Sequence, residues 1–266
     1  MEQSVQAVVA AMLKETEKIM VGKDKQIRLM VLSILSGGHV LLEDMPGLGK
    51  TTLIKTLSIV LGCDFKRIQF TPDLLPSDIV GMNIYNRQTG GFEMLHGPVM
   101  TNILLADEVN RAIPRTQSAL LEAMEERQVT IDGTTYPLPA PFVVMATQNP
   151  VESESTFKLP AAQMDRFLIR LSLGYPTVEE EMSMLKILGD QIPFDTINPV
   201  VTPEKVLELQ AAIEQVRVSD EVSTYIVSLV QKTRDNPFLK AGASPVRLVR
   251  CIKWAKPMPP WKGEIL

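Results

Sequence analysis

Pro46-Gly47-Leu48-Gly49-Lys50-Thr51-Thr52 is the stretch that decides how the rest of this chain is read. It follows His39-Val40-Leu41-Leu42-Glu43, a short apolar run that reads as a buried strand, and it leads into a helix expected from Thr51 to Leu61. A polyphosphate needs several backbone N–H groups turned inward, a helix N-terminus, and one ammonium that reaches its outer oxygens. Gly47 and Gly49 let the backbone approach closely, Lys50 supplies the charge, and Thr51 offers a hydroxyl to Mg²⁺. Pro46, Leu48 and Thr52 complete the loop. The first glycine of the usual pattern falls at Asp44, which is a departure. The competing reading of this segment alone is a Gly-Lys turn that opens a helix.

Ile103-Leu104-Leu105-Ala106-Asp107-Glu108 supplies what such a loop requires downstream. An apolar strand ending in Asp-Glu sets Asp107 near a metal ion and Glu108 where it can polarise an attacking water. Taken alone, Asp-Glu after a strand is a solvated strand end. A third apolar run, Phe142 to Ala146, ends in Thr147-Gln148-Asn149. There Asn149 is expected to hold the water or the γ-phosphate, the alternative being a turn-forming residue before Pro150.

Working outward, helical spacing predicts helices over Ser4–Met20 and Asp24–Ser36, the second stopped by Gly37-Gly38. Phe65–Phe70 reads as a strand, Ile79–Val99 as Gly-rich with short β-like pieces, and Arg115–Gln128 as a helix. Asp132-Gly133 between Val129-Thr130-Ile131 and Thr134-Thr135-Tyr136 is a two-residue hairpin signal. Short apolar strands alternating with helices mean an α/β fold with a mainly parallel sheet. Beyond Gly174-Tyr175-Pro176 only helices are expected, with Thr177 and Glu180 as a capping box, Thr202-Pro203 opening a second helix and Ser219 capping a third. The chain therefore divides into an α/β core, 1–175, and an all-helical part, 176–266.

The bulk numbers are those of a soluble globular chain: 266 residues, 45% hydrophobic, 22% charged, net charge −4. A negative balance argues against nucleic acid as the main partner. Cys63 and Cys251 are too few for a disulfide or zinc framework. The N-terminus shows no signal-peptide pattern, and Leu29–Leu42 is too short and interrupted to span a bilayer, so a cytoplasmic protein is expected.

Several runs together resemble the MoxR family of AAA+ ATPases. They are Gly38-His39-Val40-Leu41-Leu42-Glu43, Gln69-Phe70-Thr71-Pro72-Asp73-Leu74-Leu75-Pro76-Ser77-Asp78, Ala106-Asp107-Glu108-Val109-Asn110-Arg111, Leu120-Leu121-Glu122-Ala123-Met124, Ala146-Thr147-Gln148-Asn149-Pro150 and Asp165-Arg166-Phe167. The resemblance covers roughly residues 20 to 256 and implies a three-layer P-loop core followed by a helical lid, with ATP and Mg²⁺ as ligands. It implies that Lys50 and Thr51 form Walker A, Asp107 and Glu108 Walker B, and Asn149 the first sensor. Arg166 matches an arginine finger serving the adjacent subunit; by sequence alone a surface ion pair remains open. Val21-Gly22 matches a segment beside the adenine. The stretch Ile79–Val99 resembles the helix-2 insert and the Asp132-Gly133 hairpin the pre-sensor-1 hairpin, elements that face pore or substrate.

Two departures from the family stand out. Leu159-Pro160-Ala161-Ala162-Gln163 lacks the glutamate the family carries before Asp-Arg-Phe. Ser244-Pro245-Val246-Arg247 puts Val246 where the second-sensor arginine is expected, with Arg247 one residue later and about 100° further round a helix. Pro257, Pro259 and Pro260 cannot continue a helix, so the lid is expected to be short. The resemblance implies a homo-oligomeric ring, a hexamer, that remodels a protein client, possible clients including von Willebrand A domain proteins. Two other readings are a nucleic-acid motor and a non-hydrolysing scaffold. Against the first, Arg87 is the one Lys or Arg between Ile79 and Val99, and there is none between Val129 and Pro141.

Overall fold

Apolar runs of five or six residues, too short for helices, build the centre of the sheet, and the more polar Phe65–Gln69 forms one edge. The computed structural model describes residues 2–150, 156–188, 192–239 and 242–257. Helices α1 (Glu2–Thr16) and α2 (Asp24–Leu35) precede strand β1 (His39–Glu43). Helix α3 (Lys50–Val60), strand β2 (Phe65–Gln69), the short helix α4 (Pro76–Val80) and the strands β3 (Gly81–Asn86) and β4 (Gly91–His96) follow. Then come β5 (Ile103–Asp107), α5 (Pro114–Glu126), β6 (Gln128–Ile131), β7 (Thr134–Pro137), β8 (Val143–Gln148), α6 (Ala161–Met164) and β9 (Phe167–Leu171).

The sheet runs β2-β5-β8-β1-β9, every pair parallel. Successive side chains on a strand point to opposite faces. Val40, Leu42, Ile103, Leu105, Val143 and Met145 accordingly join one apolar cluster with α1, α2 and α3, while Leu41, Leu104, Ala106, Val144 and Ala146 join a second with α5. Burial on both faces is what a parallel sheet covered by helices requires. β9 is not among the strands expected from the sequence; its pairing with β1 closes that edge of the sheet.

His39 pins the start of β1 from within this core. Its Nδ1 accepts from the Val144 amide at 2.9 Å and its Nε2 donates to the Met124 carbonyl at 3.2 Å. Burial is the main force that pushes its pKa down to about 3, so the ring is neutral.

The two hairpins, β3–β4 and β6–β7, are antiparallel and lie off the main sheet. Asp132 (φ 48°) and Gly133 (φ 80°) make the tight turn that the sequence announces. Asn83 donates to Asp132 at 2.9 Å and ties one hairpin to the other.

After β9 the described chain is helical: α7 (Val178–Leu188), α8 (Pro203–Glu214), α9 (Asp220–Arg234) and α10 (Pro245–Ala255), with one 3-10 turn at Phe194–Thr196. The capping box forms as expected: the Thr177 amide donates to Glu180 at 2.9 Å and the Glu180 amide to the Thr177 hydroxyl at 3.3 Å. Thr202 and Ser219 cap α8 and α9. Val206, Leu209 and Ile213 of α8 enter the same cluster as Ile27, Met30 and Ile34 of α2. The exposed faces of α9 and α10 are apolar in part, with Val222, Tyr225, Leu229, Val246 and Val249 in solvent. Pro259 and Pro260 lie outside the described residues. No helix among the described residues is long and apolar enough to cross a membrane.

Candidate nucleotide site

Parallel strands bring their C-terminal ends to one edge, and loops leaving that edge are where ligands bind in open α/β sheets. Here Glu43 lies beside Gln148, Ala106 beside Ala146, and Gln69 beside Asp107. The 44–50 loop, Asn149, Glu108 and the end of β2 therefore share one rim, although they are far apart in sequence.

In the loop, Gly47 (φ 87°) and Gly49 (φ 77°) adopt left-handed conformations that a side chain would strain. This turns successive amides to one side and joins them to the N-terminal amides of α3, a concave donor surface suited to an anion. Thr51 and Thr52 occupy the first turn of α3, half-buried, and Pro46 and Leu48 form the outer arc. The Met20 methyl stands 3.9 Å from where a Cβ on Gly49 would sit, so the segment carrying Val21 and Gly22 borders the loop. A Cβ on Gly22 itself would run into the Glu180 side chain of α7.

The Lys50 ammonium donates to the carbonyls of Asp44 and Met45 at 2.8 and 2.9 Å. Burial pushes its pKa down, and the carboxylates of Asp44, Asp107 and Glu108 oppose that shift. Lys50 thus sits within the field of both strand-end carboxylates.

Those carboxylates are held by groups the sequence reading does not single out. The Thr147 hydroxyl donates to Asp107 Oδ1 at 2.5 Å and accepts the Glu108 amide at 2.8 Å. Arg67 Nε and Nη2 donate to Asp107 Oδ2 at 3.2 and 2.7 Å, and Nη2 also reaches Gln69 at 2.8 Å. Gln69 in turn donates to Glu108 at 2.7 Å, and Arg111 pairs with Glu108 at 3.2 Å. Glu108 is left-handed (φ 56°, ψ 49°), a costly conformation for a residue with a side chain. Asn149 is buried at the end of β8, its carbonyl accepting from Asn110 at 3.2 Å. A signal for Arg67 and Gln69 did exist: two polar residues at i and i+2 on a strand share a face.

Two predicted residues lie elsewhere. Arg166 precedes β9, whose five residues span about 13 Å, and so stands at the end of the sheet opposite the loop. Its Nε lies 3.5 Å from Glu125 of α5. Arg247 is also at that end, its Nε 2.5 Å from Asp165, which in addition accepts from the Ser244 hydroxyl at 3.2 Å. Arg247, one residue past the position where the second-sensor arginine is expected, is thus paired with Asp165 and not with the 44–50 loop. Ser244 caps α10 by accepting the Arg247 amide, and the side chain that follows is directed to the Asp165 carboxylate.

Comparisons with known proteins agree with this geometry. The profile of the ATPase family associated with various cellular activities (AAA) matches residues 39–169, from β1 into β9. YeaC of Bacillus subtilis strain 168, a protein named as uncharacterized, is 48% identical over 96% of this chain and 80% of its own length. The chaperone MoxR1 of Mycobacterium tuberculosis is 46% identical over 83% of this chain, which spans 58% of that relative. A crystal structure from Cytophaga hutchinsonii, described as that of a candidate ATPase, superposes with a TM-score of 0.88 at 41% identity over 96% of this chain and 80% of its own. The chain belongs to the MoxR family of AAA+ ATPases.

Proposed function

We propose that this protein binds ATP with Mg²⁺ at the 44–50 loop and hydrolyses it, and that assembled copies use the cycle to remodel a protein client. The observation that carries the reading is that the 44–50 loop, Asp107 and Glu108 meet at one rim of the parallel sheet. The Gly47–Thr51 cradle and Lys50 hold the phosphates, with Val21 and Gly22 beside the base. The donor set suits Mg²⁺, which takes one or two protein oxygens and completes its shell with phosphate and water; Thr51 and Asp107 are those oxygens. When bound, the ion neutralises charge that develops on the phosphate oxygens.

Glu108 orients the attacking water and Asn149 contacts the water or γ-phosphate. Arg166, at the far end of the sheet, serves the neighbouring copy, where a guanidinium supplied in trans offsets transition-state charge. Arg247, paired with the Asp165 next to that finger, belongs to the same surface. We place the nucleotide-binding core at 1–175 and the helical lid at 176–266. The ring is a hexamer, and the client a protein, von Willebrand A domain proteins being the first to test. The relative named as a chaperone supports a protein client.

The decisive experiment is Glu108→Gln. It is expected to bind Mg-ATP and turn over at least about a hundredfold more slowly, as when a water-orienting carboxylate is lost. Hydrolysis at the parent rate would move that role to another residue.

A further inference from the structure

Asp44 stands where the usual phosphate-loop pattern has glycine, and nothing in the chemistry above uses its side chain. It is 5% exposed, yet both carboxylate oxygens are satisfied. Oδ1 accepts from the Ser172 hydroxyl at 2.7 Å and the Gly174 amide at 3.2 Å, and Oδ2 from the Leu173 amide at 2.7 Å. A glycine could make none of these bonds. All three donors belong to the segment directly after β9, where the chain leaves the sheet for the helices.

The backbone of the same residue faces the nucleotide site. Its carbonyl accepts from Lys50, and its amide donates to Gln148 at 3.3 Å, one residue before Asn149. The exit segment continues through Gly174 (φ 66°) to Tyr175, whose carbonyl accepts from Lys23 at 3.3 Å. Lys23 also faces Glu180 of α7 at 3.9 Å. One buried residue therefore joins the phosphate loop, the end of β8 and the root of the helical region.

We infer that Asp44 is the pin that couples nucleotide occupancy of the loop to the 172–175 exit segment, and through it to α7. The inference rests on the nucleotide-loop reading. Phosphate competes with the Asp44 and Met45 carbonyls for the Lys50 ammonium. When it wins, the Asp44 carbonyl loses its Lys50 donor while its carboxylate still grips three donors, so a shift of residue 44 pulls residues 172–174 with it. Coupling of this kind requires a shared element that both sites bias; residue 44 is that element, and the positive-φ Gly174 is where the chain can turn.

The test is residue-resolved hydrogen exchange on the full chain, with and without Mg²⁺ and a non-hydrolysable ATP analogue, in the parent, Asp44→Asn and Asp44→Gly. Calorimetry on the same samples reports binding. In the parent, the Leu173 and Gly174 amides are expected to change their exchange when the analogue binds. In both variants they should exchange at least about tenfold faster, as for a lost bond to a charged acceptor, and no longer respond to the analogue. Bound analogue without any response at 173–174 in the parent overturns the pin and leaves the loop reading intact. Absence of analogue binding in the parent removes the loop reading and the inference with it. If both Asp44 variants lose protection throughout the sheet, Ser172→Ala decides, since it removes one donor and no charge: a weakened response supports the pin, and a parent-like response overturns it.

Discussion

Replacing Thr147 with valine keeps the shape of the side chain and deletes one hydroxyl that serves both strand-end carboxylate residues. Thr147 is 1% exposed, so no water replaces what is lost. The bond to Asp107 Oδ1, at 2.5 Å, is charge-assisted and worth about 1.5–3 kcal/mol. The Glu108 amide, at 2.8 Å, is left without that acceptor, which costs about 1–3 kcal/mol more. Arg67 still holds Oδ2, so Asp107 is not stranded as a lone charge, and the two losses together come to about 2.5–6 kcal/mol. Urea unfolding at neutral pH measures it, with Thr147→Ser as the control that keeps the hydroxyl and loses one methyl, about 1 kcal/mol. The left-handed backbone of Glu108 also loses a restraint, so Thr147→Val should hydrolyse ATP more slowly than Thr147→Ser. A valine variant as stable and as active as the serine variant would refute the claim that this hydroxyl organises the site.

Acid should weaken the fold through His39: its pKa is pushed from 6.5 down to about 3 by burial, so the unfolded chain takes up the proton first. The stability this provides is complete above about pH 6.5 and is lost at about 1.4 kcal/mol per pH unit as pH falls toward 3. His39→Gln, which can still donate and accept, should flatten that part of the unfolding profile, and parallel profiles would contradict it. Mixing inactive Arg166→Ala with inactive Glu108→Gln should restore part of the ATPase activity, because some interfaces then pair an intact Glu108 with an intact Arg166. No recovery at any ratio would exclude a role in trans. Arg247→Ala should leave ATP affinity within about threefold of the parent by calorimetry, since its partner is Asp165 and not the loop; a loss of more than about tenfold, near 1.4 kcal/mol, would return it to the nucleotide.

The sequence by itself determined the chemistry that is local. Gly47, Gly49 and Lys50 announce the shape and charge of the 44–50 loop because the conformations and charge they supply lie within a few residues. The apolar strands, the Asp132-Gly133 turn and the caps at Thr177, Thr202 and Ser219 are legible for the same reason: each depends on neighbours three or four positions away at most. β9 was not, since Phe167–Leu171 is a brief apolar run with no turn signal before it, and pairing with β1 makes it a strand.

Tertiary structure alone decided which distant groups meet. Thr147 reaches Asp107 across 40 residues, Gln69 reaches Glu108 across 39, and Asp44 collects donors 128 to 130 residues away. These contacts follow from strand order: β8 lies beside β5, β5 beside β2, and β9 beside β1. Arg247 shows the same limit from the other side. The sequence left open whether it reaches the nucleotide, and the packing of α10 sets it against Asp165, because the direction of a helical side chain is fixed by what its helix packs on and not by the motif that contains it.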